Sequence, residues 1–378
     1  MKTNNIIIHI SHTDIRYDSR ILKQLKSLSL LKGFYILGIG INSTEKNKDK
    51  IEDGYLIENI KLKTKSALKI NRSLLYTINF IEANFIFTAK LLFLKPRVIH
   101  CHDTFLLISA FIIKLIFGTV IIYDAHELES NKNGQSKILS IATLILEKLC
   151  WKKIDLLISV SGSILDWYCK NLGYKKNLLI LNAPEINQFD AKINNPSLRE
   201  KFNIPRNELL FLYCGLLSKG RFIEDTLEIF KQLNKKAHIL FVGEGELLDL
   251  VNSYCSKYIN IHQQNFVKHD NLVSIIKESD IGLCLIEKIS LSDYYCLPNK
   301  LFEYLFANIN ILASNFPDIK QFSKKYKSIT LCETNKESIK QKIDFLIKYK
   351  PKKYSQDLKE ISWSNQSKNL KEAYKLFL

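Results

Sequence analysis

The sequence predicts an α/β fold made of two Rossmann-like, doubly wound domains that face a cleft. Three observations lead to this prediction. The chain has 378 residues, more than one ordinary core accommodates. Segments with strand and helix periodicity alternate along it. Each predicted strand is a continuous apolar run, as expected when helices cover both faces of a parallel sheet.

Residues 1–185 are predicted to form the N-terminal domain. NIIIHIS (5–11) is a predicted strand, DSRILKQLKSLSLLKG (18–33) a predicted helix that ends at Gly33, and FYILGIGI (34–41) a second strand. The same alternation continues through RVIHCHD (97–103), TVIIYDAHE (119–127), KKIDLLISVS (152–161) and NLLILNAPE (177–185).

The segment TFLLISAFIIKLIFGTVIIY (104–123) is about long enough to cross a bilayer. Lys114 lies near its centre, however, and Gly118 divides it into a helical half and a β-branched half. We therefore predict a buried helix followed by a buried strand.

Residues 186–207 are polar and strand-free, and we predict that they form an interdomain linker. A C-terminal domain follows at 208–360, with predicted strands in ELLFLYCG (208–215), HILFVGEG (238–245), NIHQQNF (260–266), DIGLCLI (280–286) and INILASN (309–315). Residues 361–378 are predicted to be a helix that can pack back across the linker. A cleft between two such domains is a preferred ligand site.

The charge and the cysteines limit the partners and the compartment. A net charge of +17 suits phosphorylated substrates, anionic lipid or nucleic acid, although a lysine-rich surface without a specific role also explains it. No basic run or nucleic-acid-binding signature is present, so no nucleic-acid partner is predicted. The eight cysteines form no C-x-x-C pair and the first residues do not resemble a signal peptide, which indicates the cytoplasm.

The stretch LPNKLFEYL (297–305) is typical of a phosphate-binding helix start. Pro298 is predicted at the first helical position, which leaves the amides of Asn299 and Lys300 without intrahelical partners. Lys300 and Glu303 share a face by their i, i+3 spacing, and the carboxylate is placed to accept ribose hydroxyls. A surface Lys–Glu pair worth a few tenths of a kcal/mol is the alternative.

A second basic cluster follows the first strand of the C-terminal domain. Gly215 ends this strand, and Lys219 and Arg221 lie in the turn before the next helix. The planar fork of an arginine and the mobile charge of a lysine suit a diphosphate. A solvated loop is the alternative interpretation.

Polar residues also follow three strand or loop positions of the N-terminal domain. Because carboxyl ends of parallel strands meet at one edge of a sheet, these residues favour a site there. His126 or Glu127 is expected to orient or deprotonate a hydroxyl. The set comprises Asp18, Arg20, His102, Asp103, His126 and Glu127.

Taken together, these motifs resemble the GT-B glycosyltransferases, specifically the large retaining family 4. The likeness covers nearly the whole chain. Its most specific pieces are YDSRILKQ (17–24), YDAHELES (123–130), ISVSGSILDWY (158–168), YCGLLSKGR (213–221), FVGEGELL (241–248) and LPNKLFEY (297–304).

The resemblance implies a nucleotide-sugar donor, a UDP- or GDP-sugar, held mainly by the C-terminal domain. Lys219 and Arg221 match the positions that bind the diphosphate, and Glu303 matches the second glutamate of E-x7-E, which holds the ribose. Gly215, Asn299 and Lys300 belong to the same donor side, and His126 matches a histidine near the transferred sugar. The acceptor side is expected at Asp18, Arg20, His102, Asp103 and Glu127. The chain has no D-x-D motif, so we expect neither a metal nor another cofactor.

The chain departs from the family pattern at three places. Tyr295 stands where the first glutamate of E-x7-E is usual. Ala307-Asn308-Ile309-Asn310 replaces a small-Gly-x-Pro stretch, and the glycine-rich turn after the first strand is missing.

The expected activity is retaining transfer of a sugar to a glycan or lipid-linked acceptor in bacterial surface polysaccharide synthesis. The enzyme can then lie at the inner face of the plasma membrane, on an anionic surface. Residues 61–93 mix cations with apolar residues, which fits either an interfacial helix or a covered one. A catalytically silent nucleotide-sugar-binding partner and a GT-B sugar-nucleotide epimerase are the alternatives.

Overall fold

The computed structural model describes residues 4–42, 48–51, 54–64, 72–189, 198–233, 237–265, 267 and 269–378. The chain divides into two compact units. Unit 1 runs to Leu181 and also contains Gln366–Leu378, whereas unit 2 is Asn182–Asn365. The described part of the predicted linker therefore lies in unit 2, where Arg199 Nη2 donates to Asp280 Oδ2 at 2.6 Å.

Unit 1 is built on a sheet with the strand order β3-β4-β2-β1-β5-β6-β7-β8. Its described neighbouring strands pair in parallel, except β3 and β4, which are antiparallel. The strands are β1 (Asn4–Ile10), β2 (Tyr35–Asn42), β3 (Lys48–Ile51), β4 (Tyr55–Lys61), β5 (Pro96–His102), β6 (Val120–Ala125), β7 (Leu156–Ser159) and β8 (Asn177–Leu179).

The helices of unit 1 cover this sheet. They are α1 (Ser19–Leu28), α2 (Arg72–Leu94), α3 (Leu107–Phe117), α4 (Lys137–Trp151) and α5 (Gly162–Leu172). The helix and strand predicted for 104–123 are confirmed as α3 and β6, with Gly118 closing the helix in the left-handed region at φ 72°. The predicted helix 18–33 is shorter than expected, because α1 ends at Leu28 before the turn that contains Gly33.

Unit 2 has a second parallel sheet, of order β11-β10-β9-β12-β13-β14. Its strands are β9 (Leu209–Cys214), β10 (Ala237–Val242), β11 (Ile261–Gln264), β12 (Ile281–Cys284), β13 (Asn310–Ser314) and β14 (Ile329–Cys332). Its helices are α6 (Leu198–Lys201), α7 (Ile223–Leu233), α8 (Leu248–Cys255), α9 (His269–Glu278), α10 (Leu291–Tyr294), α11 (Asn299–Phe306), α12 (Pro317–Lys325) and α13 (Lys336–Tyr349).

Both sheets reverse their strand order beside a central strand, at β1 in unit 1 and β9 in unit 2. In such open sheets, ligands bind outside the carboxyl ends of the strands at this reversal. The last helix, α14 (Trp363–Lys375), belongs to unit 1 from Gln366 onward. It is anchored there by Tyr374, which has no solvent exposure.

One helix among the described residues, Leu74–Leu94 within α2, is long and apolar enough to cross a membrane by length and composition alone. A core helix can pass the same test, although only 22% of this window is buried. The segment 61–93, predicted as an interfacial or a covered helix, contains most of α2, and its residues 65–71 lie outside the described part of the chain.

Candidate functional site

The carboxyl end of β9 holds Gly215 and Lys300 together. Gly215 has φ 131°, and a Cβ built on it would lie 3.6 Å from Lys300 Nζ. The Lys300 ammonium lies 3.9 Å from the centroid of the Tyr213 ring, a cation–π contact. A side chain at position 215 would therefore crowd the cation that the sequence predicts as a phosphate ligand.

The helix of LPNKLFEYL begins one residue later than predicted. Pro298 is the residue before α11, with φ −73° and ψ 147°, and Asn299 is the first helical residue. The amides of Asn299 and Lys300 still have no intrahelical carbonyl four residues before them. Asn299 Oδ1 accepts from Asn182 Nδ2 at 2.8 Å, which orients the first side chain of the helix.

Glu303 reaches the same strand end as Lys300. Its Oε2 lies 3.9 Å from Cys214 Sγ. Burial, with a contribution from the Glu303 carboxylate, raises the pKa of Cys214 to about 12, so the thiol stays neutral. Leu301, Phe302 and Leu305 are fully buried, and the polar pair lies on the face of α11 that meets the end of β9.

The basic turn after β9 is supported by two acidic residues. Arg221 Nη1 donates to Asp293 Oδ1 at 3.2 Å, and the Lys219 amide donates to Glu246 Oε1 at 3.1 Å. Asp293 is 8% exposed, and its Oδ2 accepts from Ser290 Oγ at 2.8 Å. Sequence reasoning missed Asp293, although Ser290-x-x-Asp293 is an N-capping pattern that could have found it.

The glycines of FVGEGELL serve a packing role. Gly243 and Gly245 have φ 147° and 150°. A Cβ on Gly243 would lie 2.0 Å from the Gly215 carbonyl oxygen, and one on Gly245 would lie 2.4 Å from that of Leu217. The two loops bond directly, since the Leu217 amide donates to the Glu244 carbonyl at 2.8 Å. These glycines let the loops after β9 and β10 meet.

Two departures from the family pattern have local explanations. Asn308 adopts φ 57°, a left-handed conformation that asparagine tolerates better than most residues, so it fills the role of a turn glycine. Tyr295 ends the short helix α10, its amide donating to the Leu291 carbonyl at 2.9 Å. Its ring centroid lies 5.4 Å from that of Tyr294.

In unit 1, a histidine cluster lies near the carboxyl ends of β1, β5 and β6. It consists of His9, His100, His102, His126 and Asp124. His9 is paired with His100 in the sheet register, and His102 with Asp124. All except His126 have no solvent exposure, whereas 20% of the His126 side chain is exposed. His126 is therefore the member that a substrate can reach.

Asp124 is the anion of this cluster. Arg20 donates to it from Nε at 3.1 Å and from Nη2 at 2.8 Å, and Gln24 Nε2 donates at 2.8 Å. Burial opposes its ionisation, but Arg20 and His126 hold the pKa of Asp124 well below its usual range. Arg20, predicted on the acceptor side, is 3% exposed and pairs with Asp124 in the interior.

The other acceptor-side predictions have different placements. Asp18 caps α1 and accepts from the amides of Arg20 at 3.0 Å and Ile21 at 3.1 Å. His102 is fully buried, and Glu127 is exposed. Asp103, at φ 59° after β5, places Oδ1 3.8 Å from His126 Nδ1.

His126 is cationic at neutral pH. Burial lowers its proton affinity, but the Asp103 and Asp124 carboxylates outweigh this and raise the pKa of His126 to about 9. A protonated imidazole donates hydrogen bonds and cannot act as a base. Of the two roles predicted from the sequence, the structure favours orientation of a hydroxyl.

A cavity of about 260 Å³ adjoins Asp103 in unit 1. Its lining includes His12, Tyr76, Asp103, Phe105, Glu129 and Lys132. Lys132 Nζ lies 2.8 Å from Glu129 Oε1. Burial and the Asp103 carboxylate raise the pKa of Glu129 well above its usual range. Sequence reasoning missed Glu129 and Lys132, although Glu129 lies within the quoted YDAHELES.

The histidine cluster also contains groups of side chains close enough to be tested as metal ligands, His9 with His100 and His102, and His102 with Asp124 and His126. The nitrogens of His9 and His102 are 2.9 Å apart, and those of His102 and His126 are 3.0 Å apart. Two imidazole nitrogens on one tetrahedral zinc lie about 3.3 Å apart. The contacts therefore fit N–H···N hydrogen bonds better than ligation.

Comparison with known proteins supports the fold of both units. Residues 194–362 match the family model described as Glycosyl transferases group 1. No curated protein matches the chain.

Three solved structures are similar over nearly the whole chain, and at this identity they show the fold alone. Sucrose-phosphate synthase from Thermosynechococcus elongatus has a TM-score of 0.72 at 14% identity, covering 98% of this chain and 94% of its own. A UDP-forming trehalose-phosphate synthase from Burkholderia xenovorans has a TM-score of 0.69 at 9% identity, with 99% and 95% covered. Anabaena Alr3699/HepE in complex with UDP has a TM-score of 0.63 at 11% identity, with 100% and 96% covered.

Proposed function

Residues 194–362 belong to the glycosyl transferases group 1 family, and we propose that this GT-B glycosyltransferase moves a sugar, with retention, from a nucleotide-sugar donor to a glycan or lipid-linked acceptor. The observation that carries the proposal is the convergence of Lys300 and Glu303 on the end of β9. Such a strand end beside a helix start is a favourable phosphate site.

Unit 2 supplies the donor contacts in this proposal. The amides of Asn299 and Lys300, together with the Lys300 ammonium, receive the diphosphate. Glu303 accepts the ribose hydroxyls, and Arg221 and Lys219 pair with phosphate oxygens. The donor is a UDP-sugar, because the Anabaena neighbour binds UDP and the Burkholderia neighbour is UDP-forming.

Charge develops on the leaving diphosphate as the bond to the sugar breaks. Arg221, held by Asp293, and Lys219 stabilise that charge from fixed positions, which is usually the largest catalytic contribution in such sites. The acceptor hydroxyl attacks from the face that the diphosphate leaves, and the departing phosphate takes its proton. In unit 1, the cationic His126 donates to a sugar hydroxyl and orients it.

The surface of α4 supports a lipid-linked acceptor and a peripheral position on an anionic membrane. Four large aliphatic side chains recur on one face at helical spacing, and their exposure runs from 58% for Leu149 to 83% for Ile138. Exposed lysines at both ends of the helix match anionic headgroups, as does the net charge of +17. The stripe is Ile138, Ile141, Ile145 and Leu149, and the lysines are Lys137, Lys148, Lys152 and Lys153.

Synthesis of a bacterial surface polysaccharide, such as a capsule or lipopolysaccharide, fits a membrane-bound acceptor. A transferase without its acceptor hydrolyses its donor slowly, so the test incubates the purified chain with a panel of UDP- and GDP-sugars. We expect UDP release from one UDP-sugar, and we expect the anomer that NMR detects first to keep the donor's configuration.

Two results would oppose the proposal. Release of the inverted anomer would contradict retention. No release from any donor, by protein that still binds UDP, would favour the silent-partner alternative. Glu303→Ala is expected to abolish release, whereas Glu337→Ala, a change at an exposed glutamate of α13, is expected to leave it intact.

A further inference from the structure

A continuous series of hydrogen bonds connects Asp124 to His126 through the interior of unit 1. Its members in order are Asp124, His100, Tyr374, His9, His102 and His126. The successive contacts measure 3.4, 2.7, 3.4, 2.9 and 3.0 Å. Tyr374 comes from α14, so the C-terminal helix contributes the central hydroxyl of this chain of bonds.

The ionised carboxylate of Asp124 sets the direction of the first bonds. A carboxylate only accepts, so His100 Nε2 carries a proton and donates to Asp124 Oδ2. The other nitrogen of this neutral ring, Nδ1, must accept. Tyr374 therefore donates its hydroxyl proton to His100 Nδ1, and its oxygen is left to accept.

Each remaining tautomer follows from the one before it. The Tyr374 oxygen accepts from His9 Nε2, which makes His9 Nδ1 an acceptor for the proton on His102 Nε2. His102 Nδ1 then accepts from His126 Nε2. The rings of His9 and His102 are fully buried, and burial lowers the pKa of each well below its usual range, so both are neutral and carry one proton.

We propose that Tyr374 is a positioning residue, which keeps a proton on Nε2 of His126 and leaves Nδ1 as the nitrogen that donates to the substrate. Asp103 faces Nδ1 at 3.8 Å, and Asp124 lies 3.6 Å from Nε2. The positive group facing this site is Arg20, and the neutral ring is His102. The catalytic meaning rests on the proposed function, but the bond direction does not.

Removal of the Tyr374 hydroxyl would break the connection at its centre. His9 would be free to carry its proton on Nδ1, and His102 could then turn its own proton toward His126. His126 Nε2 would become an acceptor, so the ring would lose the fixed inward proton that its predicted role needs.

Long-range ¹H–¹⁵N NMR of the histidine rings in the full chain tests this inference without a substrate. At pH 7 we expect His9, His100 and His102 as Nε2–H tautomers and His126 protonated on both nitrogens. Tyr374→Phe is expected to change the tautomers of His9 and His102. Tyr168→Phe removes an equally buried hydroxyl of unit 1, bonded to Glu147 at 2.6 Å, and is expected to change none of them.

An Nδ1–H tautomer of His102 in the unmodified protein would overturn the proposal, and so would unchanged tautomers in Tyr374→Phe. The first result requires no variant, so it stands even if Tyr374→Phe does not fold. In donor hydrolysis we expect Tyr374→Phe to lower kcat about tenfold at constant KM, with no effect of Tyr168→Phe. If the unmodified protein shows no hydrolysis but the expected tautomers, the proposed function fails and the bond direction stands.

Discussion

Arg221 and Asp293 form an ion pair that joins the turn after β9 to the short helix α10. The contact measures 3.2 Å, and the Asp293 carboxylate is also bonded to Ser290. This pair holds the planar fork of the arginine at the end of the strand where the donor diphosphate is proposed to bind. Its cation is therefore in place before the substrate arrives.

The first prediction concerns this pair. We expect Arg221→Ala to lower kcat for donor hydrolysis by about 10²–10³, because a preorganised cation no longer meets the leaving phosphate. Asp293→Asn is expected to have a smaller effect of the same kind, since the arginine remains but is held less firmly. Steady-state kinetics measure both, with Arg206→Ala, at an exposed arginine of unit 2, as the control. Normal turnover in Arg221→Ala would refute its role.

Stability should fall in alkali because of His126. Its pKa is raised from 6.5 to about 9 in the folded state, so its contribution is complete below pH 6.5 and is lost as the pH rises through 9. The shift corresponds to on the order of 3 kcal/mol. Urea unfolding between pH 6 and 10 should show this loss in the unmodified protein. It should be absent in His126→Gln, and equal slopes in the two proteins would show that the ring is not charged.

Glu147 supplies a second pH-dependent term with its own window. It is fully buried, and burial raises its pKa to about 7 even though Tyr168, Tyr123 and Thr104 donate to it. Its stability is therefore complete below about pH 4.5 and is lost as the pH rises through 7. Glu147→Gln keeps an acceptor oxygen and cannot ionise.

We expect Glu147→Gln to raise the free energy of unfolding by about 1–3 kcal/mol at pH 8 and to change it little at pH 5. Chemical denaturation at the two pH values measures the difference. Glu337→Gln, at an exposed position, serves as the control and should show no such difference. A destabilised Glu147→Gln at pH 8 would mean that the carboxylate is ionised and satisfied in the fold.

The α4 stripe predicts binding to anionic vesicles. Sedimentation with phosphatidylglycerol-containing vesicles should recover the protein, and phosphatidylcholine vesicles should recover little. Ile141→Asp combined with Ile145→Asp should reduce recovery at least tenfold, because two charges enter the apolar face. Ile259→Asp combined with Phe345→Asp changes two exposed apolar residues of unit 2 and should have no effect. Equal binding by both double variants would exclude the stripe.

The sequence predicted the buried strands well and the peripheral ones poorly. β1 and β9 are continuous apolar runs because helices cover both faces of their sheets, and such runs are recognisable locally. The edge strand β3 has the polar sequence KDKI, and β4 has the mixed sequence YLIENIK. β14 is only four residues long. None of these carries a strong strand pattern.

Residues of the donor site were recognisable because they lie in short motifs next to strand ends. The acceptor side was predicted less accurately, because residue type does not reveal burial. Arg20 is consumed by an interior ion pair and Asp18 by a helix cap. Tyr374 could not be found at all, since its partner His100 lies 274 positions away in the chain.

Thermal unfolding with UDP, GDP, CMP and ADP, without added metal, tests the central claim most directly. At about 100 times its dissociation constant, a ligand adds about 2.7 kcal/mol of stability. We predict a shift with UDP that Glu303→Ala and Arg221→Ala abolish and that Glu337→Ala and Arg206→Ala retain. Unchanged unfolding temperatures with all four nucleotides, or a UDP shift that survives both site variants, would contradict a donor site at the end of β9.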